Sequence, residues 1–227
     1  MLVNKPHGMT IQKIILQTQD LERAEAFYHQ VLELPVIYKT ETSISFAAGY
    51  SVISFQLNEE ERSFYHFAFL VPENKLDEAY RWVSARTQVL PYDNKSSIAD
   101  FKNWNAHAFY FHDEQKNILE FIAHHDLPNA SDETFGVKSI IGICEIGITV
   151  DDVAEACQQF NKTYGVPFFE KGPYMDDFAV MGTEDSLLII SATGRGWLPT
   201  GQPAGKYYLQ VVLNINDRNH EISFNWW

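Results

Sequence analysis

Residues 11–36 run IQKIILQTQDLERAEAFYHQVLELPV. A β-branched apolar start gives way at Asp20, a helix-capping residue type, to an amphipathic segment. Leu21, Ala24, Phe27, Tyr28 and Val31 fall on one face of that segment at helical spacing. The order is strand, acidic cap, helix, turn. It returns at 65–87, YHFAFLVPENKLDEAYRWVSART, with Leu76, Ala79, Tyr80 and Val83 as the apolar stripe. It returns again at 143–168, ICEIGITVDDVAEACQQFNKTYGVPF, with Val153, Ala156, Cys157 and Phe160. Short strand-like runs follow each copy: SISFAAG and YSVISFQL after the first, NAHAFYFHD and KNILEFIA after the second, FAVMGT and SLLIISA after the third. A period of this kind marks one supersecondary unit used repeatedly. The unit is βαβββ, so the expected fold class is α+β, with repeated βαβββ modules paired into a curved sheet that forms a cup. Helices are expected near 20–32, 73–86 and 152–164.

The tail departs from the pattern. KYYLQVVLNIND alternates as a strand, DRNH reads as a turn, and EISFNWW alternates again. A hairpin near 207–226 therefore stands where a fourth helix-bearing unit would be. The segment 125–136, HDLPNASDETFG, is rich in turn residues and divides the chain. Residues 1–127 form an N-terminal pair of modules holding the cup, and 137–227 form the third module plus the hairpin. The third module then lacks a full partner, so the hairpin or a second copy of the chain completes its sheet, and a homodimer is expected.

At 227 residues, 45% of them hydrophobic, the chain buries a full core. Its net charge of -13 argues against nucleic acid, because phosphate binding needs a basic surface. No apolar run approaches the ~20 residues of a membrane span. The opening MLVNKPHGMTIQK has no long apolar stretch, so no secretory signal is expected. Cys144 and Cys157 lack metal-type spacing and read as reduced, buried thiols. The expectation is a cytoplasmic protein with a small-molecule partner.

The repeated unit, with DLERAEAFY after the first strand and FYFHDEQKNILEF closing the second unit, resembles the vicinal oxygen chelate superfamily. That group holds glyoxalases, bleomycin-resistance proteins, methylmalonyl-CoA epimerase and extradiol dioxygenases. The resemblance covers 10–125 well and 138–192 less closely. It implies two units paired around a cup, with metal ligands on the first and fourth strands of each unit. Carried onto this chain, those positions are Lys13 and Ser54 in the first unit and His66 and Glu120 in the second. The third unit offers Glu145 and Ile189, a lone carboxylate, and reads as structural or as a binding surface. His7 is a further candidate ligand. The resemblance also implies an acid/base role for Tyr110, ten residues before Glu120.

Strand alternation supports the placement independently. Glu120 lies inside the apolar run of KNILEFIAHH, where an unpartnered carboxylate is costly. Ile118, Glu120 and Ile122 share one strand face, and Phe64, His66, Ala68 and Leu70 share another. Lys13, Ile15 and Gln17 go together, as do Val52, Ser54 and Gln56. Polar side chains collect on one face, as a small-ligand site requires. Lys13, Gln17, Ser54, Gln56 and His107 are the candidate ligand-binding residues, and Trp104 and Asn105 join His107 at the cup mouth. His124 and His125 read as solvated linker residues. GRGWLP, 194–199, does not match a phosphate loop and reads as a packed loop against the sheet.

Two functions compete at this stage. In one, His66 and Glu120 hold Fe(II), Mn(II) or Zn(II), with Glu120 or Tyr110 moving protons, in a dioxygenase or glyoxalase-type lyase or isomerase acting on a small oxygen-rich or aromatic substrate. In the other, the protein is a metal-free binder of the bleomycin-resistance type, with Lys13 pairing with an anionic ligand. Glu120 and Lys13 as a structural ion pair is the bland alternative to both.

Overall fold

The structure, a computed structural model, describes residues 8–224. The first unit comprises β1 (Met9–Thr18), α1 (Leu21–Glu25, continued by a π-helical turn, Ala26–Val31), β2 (Val36–Lys39), β3 (Ser43–Ala48) and β4 (Ser51–Leu57). The second comprises β5 (His66–Leu70), α2 (Leu76–Ser84), β6 (Ile98–Phe101), β7 (Ala106–His112) and β8 (Ile118–His124). The third comprises β9 (Gly142–Val150), α3 (Val153–Tyr164), β10 (Phe178–Thr183) and β11 (Ser186–Ala192). A small two-stranded piece, β12 (Gly196–Trp197) with β13 (Gln202–Pro203), precedes the hairpin β14 (Leu209–Ile215) and β15 (Arg218–Phe224).

Local chemistry accounts for the starts of α1 and α3, whereas α2 begins after Lys75 without a side-chain cap. Asp20 accepts from the backbone N–H groups of Glu22 and Arg23, both at 3.0 Å, and Asp152 accepts from Glu155 at 2.8 Å. Two details depart from expectation. The third unit has only two strands after its helix; isolated bridges, Phe168 to Met181 and Tyr174 to Ala179, stand where its edge strand would be. The hairpin turns at Asn216 and Asp217, with φ of 49° and 62°, not at DRNH. Two left-handed residues make the tight turn whose twist matches the strands.

The pairing of units is the main correction. Units one and two do not form a cup together. β1 pairs antiparallel with β14 and parallel with β4, so the hairpin completes the first unit. β5 pairs antiparallel with β9, so units two and three share the other curved sheet. The two halves meet where Ile11 of β1 pairs with Ile143 of β9, within one 13-stranded sheet. The sheet is thus organised across the 125–136 linker rather than on either side of it. The third unit is completed inside the chain, which removes the ground for expecting a second copy.

The helices cover one face of this sheet. Phe67 and Phe69 of β5, Leu119 and Phe121 of β8, and Ile146 and Ile148 of β9 pack in that core with Ala79 and Val83 of α2. Their strand neighbours point the other way, into the cup. A buried polar knot ties the units together: Asp113 accepts from the Tyr28 hydroxyl at 2.8 Å, from Asn117 N and Nδ2 at 2.9 and 2.7 Å, and from Gln115 N at 2.9 Å. Asp113→Ala leaves these buried donors unmatched, and we expect a loss of about 3 kcal/mol, read by chemical denaturation. A loss under about 1 kcal/mol would show that water replaces the carboxylate there. No described helix is long and apolar enough to cross a membrane.

Candidate metal centre

β5 lies between β8 and β9, and the site follows from that order. Glu120 of β8 and Glu145 of β9 are both registered opposite Ala68 of β5, one from each side. The small side chain of Ala68 leaves the space between them open. His66, two residues earlier on the same strand face, projects into that space. Cys144 is the extra residue of a bulge, because Ala68 pairs with Glu145 while Phe69 pairs with Ile143. The bulge aims Glu145 into the cup.

The side chains converge. His66 Nε2 lies 3.5 Å from Glu120 Oε2 and 3.8 Å from Glu145 Oε2. One ligand atom from each of the three residues falls within 4.8 Å of the others. All three are buried. His66 Nδ1 lies 3.2 Å from the Ile118 carbonyl. That contact fixes the ring as an Nδ1–H donor and leaves Nε2 free to ligate. Glu120 Oε1 and Glu145 Oε1 are buried without a hydrogen-bond partner among the described residues. Two buried carboxylates beside one imidazole, each with an unpartnered oxygen, are what a divalent cation would satisfy. Burial, and then the charge of Glu145, push the Glu120 carboxyl well above the usual range, against a hydrogen bond from Tyr110 that lowers it. The Tyr110 phenol, opposite Glu120 in the β7–β8 ladder, is likewise pushed up by burial and by both carboxylates, so it stays protonated.

Above the cluster lies a cavity of about 540 Å³. Its walls include Phe101, Trp104, Phe178, Ile189 and Trp197, with Lys102, Lys171 and Arg195 among the charged lining. Trp197 sits beside His66, ring centroids 5.2 Å apart, because Gly147 lacks a side chain: a Cβ there would meet the Trp197 ring at 2.7 Å. Trp104 Nε1 donates to the Gly172 carbonyl at 3.0 Å, which joins the turn before β7 to the loop before β10.

The structure therefore brings together His66, Glu120 and Tyr110. Lys13, Gln17, Ser54 and Gln56 lie on β1 and β4, outside this cavity. Ser54 Oγ bonds to Ser45 Oγ at 2.7 Å, Gln17 Oε1 accepts from Asn58 at 3.0 Å, and Gln56 is exposed. The physical reason is the unit pairing: β1 faces β14, not β5. His107 forms a half-buried chain outside the cavity, with Nδ1 at 2.8 Å from His125 Nε2 and Nε2 at 3.7 Å from Asp100. Its neighbour Trp104 does line the cavity, whereas Asn105 is exposed and donates to Asp126. His124, expected in solvent, is fully buried and stacks on Trp104; burial, and then Lys171, lower its pKa to about 4, so it is neutral. His7 lies outside the described residues.

Glu145 is the residue that sequence reasoning set aside. Its signal was the one that marked Glu120, a carboxylate inside an apolar strand, ICEIGITV. Arg195 directly precedes the two-residue strand β12 that holds Trp197, a stretch with no periodic pattern, and nothing local assigned either residue to the cup.

Residues 10–168 match the family described as the glyoxalase/bleomycin resistance protein/dioxygenase superfamily. No curated protein matches the sequence significantly. A putative dioxygenase from Bacillus subtilis is similar in fold, with a TM-score of 0.62 and 12% identity over 96% of this chain and 86% of that one. Lactoylglutathione lyase from Agrobacterium tumefaciens aligns with a TM-score of 0.45 and 20% identity, over 52% of this chain and 96% of its own. The fosfomycin resistance protein of Listeria monocytogenes, complexed with Mn(II) and sulfate, aligns with a TM-score of 0.38 and 20% identity, over 54% and 91%.

Proposed function

The chain belongs to the glyoxalase/bleomycin resistance protein/dioxygenase superfamily, and from that premise we propose that it is a divalent-metal-dependent enzyme acting on a small, oxygen-rich aromatic substrate, with His66, Glu120 and Glu145 as the metal ligands. The observation that carries this is the convergence of the three ligand atoms within 4.8 Å, buried beneath a cavity. A donor set of two carboxylates and one imidazole suits Mn(II) or Fe(II), with Zn(II) behind them. Bound there, the ion supplies Lewis-acid polarisation of adjacent substrate oxygens.

The chain's own residues do the rest. Ile189 occupies the fourth-strand position of the third unit and is buried, so the protein offers three donors and leaves room for substrate. Phe101, Trp104, Phe178 and Trp197 bind a flat apolar body and exclude water from the carboxylates. With Glu120 engaged as a ligand, proton transfer falls to Tyr110, which holds its proton at Oη beside the reacting centre. The metal-free alternative relied on Lys13 as the charge partner of the ligand, and Lys13 is not in the cavity.

Calorimetric titration of the purified, chelator-treated protein tests this. Mn(II) should bind once per chain. Lys13→His, which would add an imidazole at a first-unit ligand position, should leave that affinity within about twofold, because it lies outside the coordination sphere and its supporting hydrogen bonds. Failure of Mn(II), Fe(II) and Zn(II) all to bind would sink the assignment.

A further inference from the structure

On the premise that the cup over His66, Glu120 and Glu145 is the substrate site, we propose that Arg195 is an anion anchor at its mouth and that the substrate is an aromatic carboxylate, chelating at one end and charged at the other. Side-chain exposure orders the cavity by depth. The three cluster residues are at most 7% exposed, whereas Arg195 is 26% exposed. Trp197 lies beside His66 at the buried end, and Phe178 lies under Arg195 at the other.

Arg195 is built to receive a ligand. Its guanidinium lies 4.2 Å over the Phe178 ring, which fixes the plane of the group. Its Nε faces Asp177 Oδ2 at 3.4 Å, and that is its only ion pair among the described residues. The contact uses one edge of the fork and leaves the terminal nitrogens for a planar oxyanion. Lys171 also lines the cavity, but its ammonium is committed: it donates to Asp126 at 2.6 Å, to the Trp104 carbonyl at 3.2 Å and to Glu184. Lys102, exposed at the same mouth, adds positive potential; Asp100, the acid there, faces His107. In a chain of net charge -13, cationic donors turned toward one cavity select for a negative group. A divalent ion would cancel the two buried carboxylates, so the floor would not oppose an anion.

Calorimetry with two matched probes tests the anchor: 3-(3,4-dihydroxyphenyl)propionate and its primary amide, with the pair one carbon shorter run alongside to cover reach. Titrations use wild type, Arg195→Gln and Arg195→Lys, each with Mn(II) and with chelator. In wild type the acid should bind about tenfold tighter than the amide, the worth of one charge-assisted pair. Arg195→Gln should erase that preference while binding the amide as wild type does, and Arg195→Lys should keep part of it. Equal binding of acid and amide by wild type would overturn the anchor, as would a preference that survives in Arg195→Gln or no binding of any probe. Mn(II) titration of the same samples separates the two inferences. An acid preference without Mn(II) binding would sink the metal assignment alone, and Mn(II) binding without the preference would sink the anchor alone.

Discussion

Glu145→Gln should lower Mn(II) affinity by at least about 100-fold while making the metal-free protein more resistant to heat, because losing even an outer-sphere partner of a metal site costs about 10–100-fold. The two effects have one origin. Glu120 and Glu145 are buried on either side of Ala68, and burial first, then the charge of Glu145, disfavours the charged form of Glu120. A cation would turn that repulsion into attraction. An amide in place of one carboxylate removes the repulsion and also the stronger of its ligating forms. A purely structural cluster, held by His66 pairing with the carboxylates, predicts the reverse: the variant would lose stability and metal would change nothing. Thermal scans with and without Mn(II), on wild type and Glu145→Gln, separate the cases. A variant that is less stable than wild type in chelator would count against the metal centre.

The repeat was legible because each helix carries its apolar stripe at helical spacing, after an acidic cap in the first and third units, Asp20 and Asp152, though α2 starts at Lys75 without a side-chain cap. The strand faces were legible too. Alternation placed His66 and Glu120 on the cup side and Phe67, Leu119 and Phe121 beneath the helices. Which unit joins which was not legible. Three copies of one pattern carry the same local information, and the choice between β1 and β9 as the partner of β5 depends on contacts between distant strands. That single ambiguity moved the site: with β1 beside β5 the third ligand position holds Lys13, and with β9 beside it the position holds Glu145. The bulge at Cys144 and the short edge strands Val36–Lys39 and Ile98–Phe101 were equally hidden, since each depends on the sheet around it. Arg195 and Trp197 lie in the irregular stretch around the two-residue strand β12, where position is set by what the segment packs against.

Metal and proton should compete for Glu120, and the competition sets a pH dependence of definite sign. Its carboxyl is raised well above 4.5 by burial first and by Glu145 second. A group whose folded pKa lies above its unfolded value lends stability that is complete below the unfolded pKa and is lost as pH rises through the folded one. The metal-free protein should therefore lose stability as pH climbs from about 4.5 upward through the raised pKa of Glu120, relative to Glu120→Gln, which has no proton to give up. Binding Mn(II) requires the carboxylate, so the ion displaces that proton, and affinity should rise by up to about tenfold per pH unit until the folded pKa is passed. The stabilisation conferred by saturating Mn(II) should widen over the same interval. The comparison with Glu120→Gln is needed because burial also raises Asp113 and Asp185, whose contributions have the same sign and cancel in the difference. Proton release can be read directly, by repeating the Mn(II) titration in buffers of different ionisation enthalpy. If the wild type releases no more protons than Glu120→Gln, or its affinity is flat with pH, Glu120 does not exchange a proton for the metal and its place in the ligand set fails.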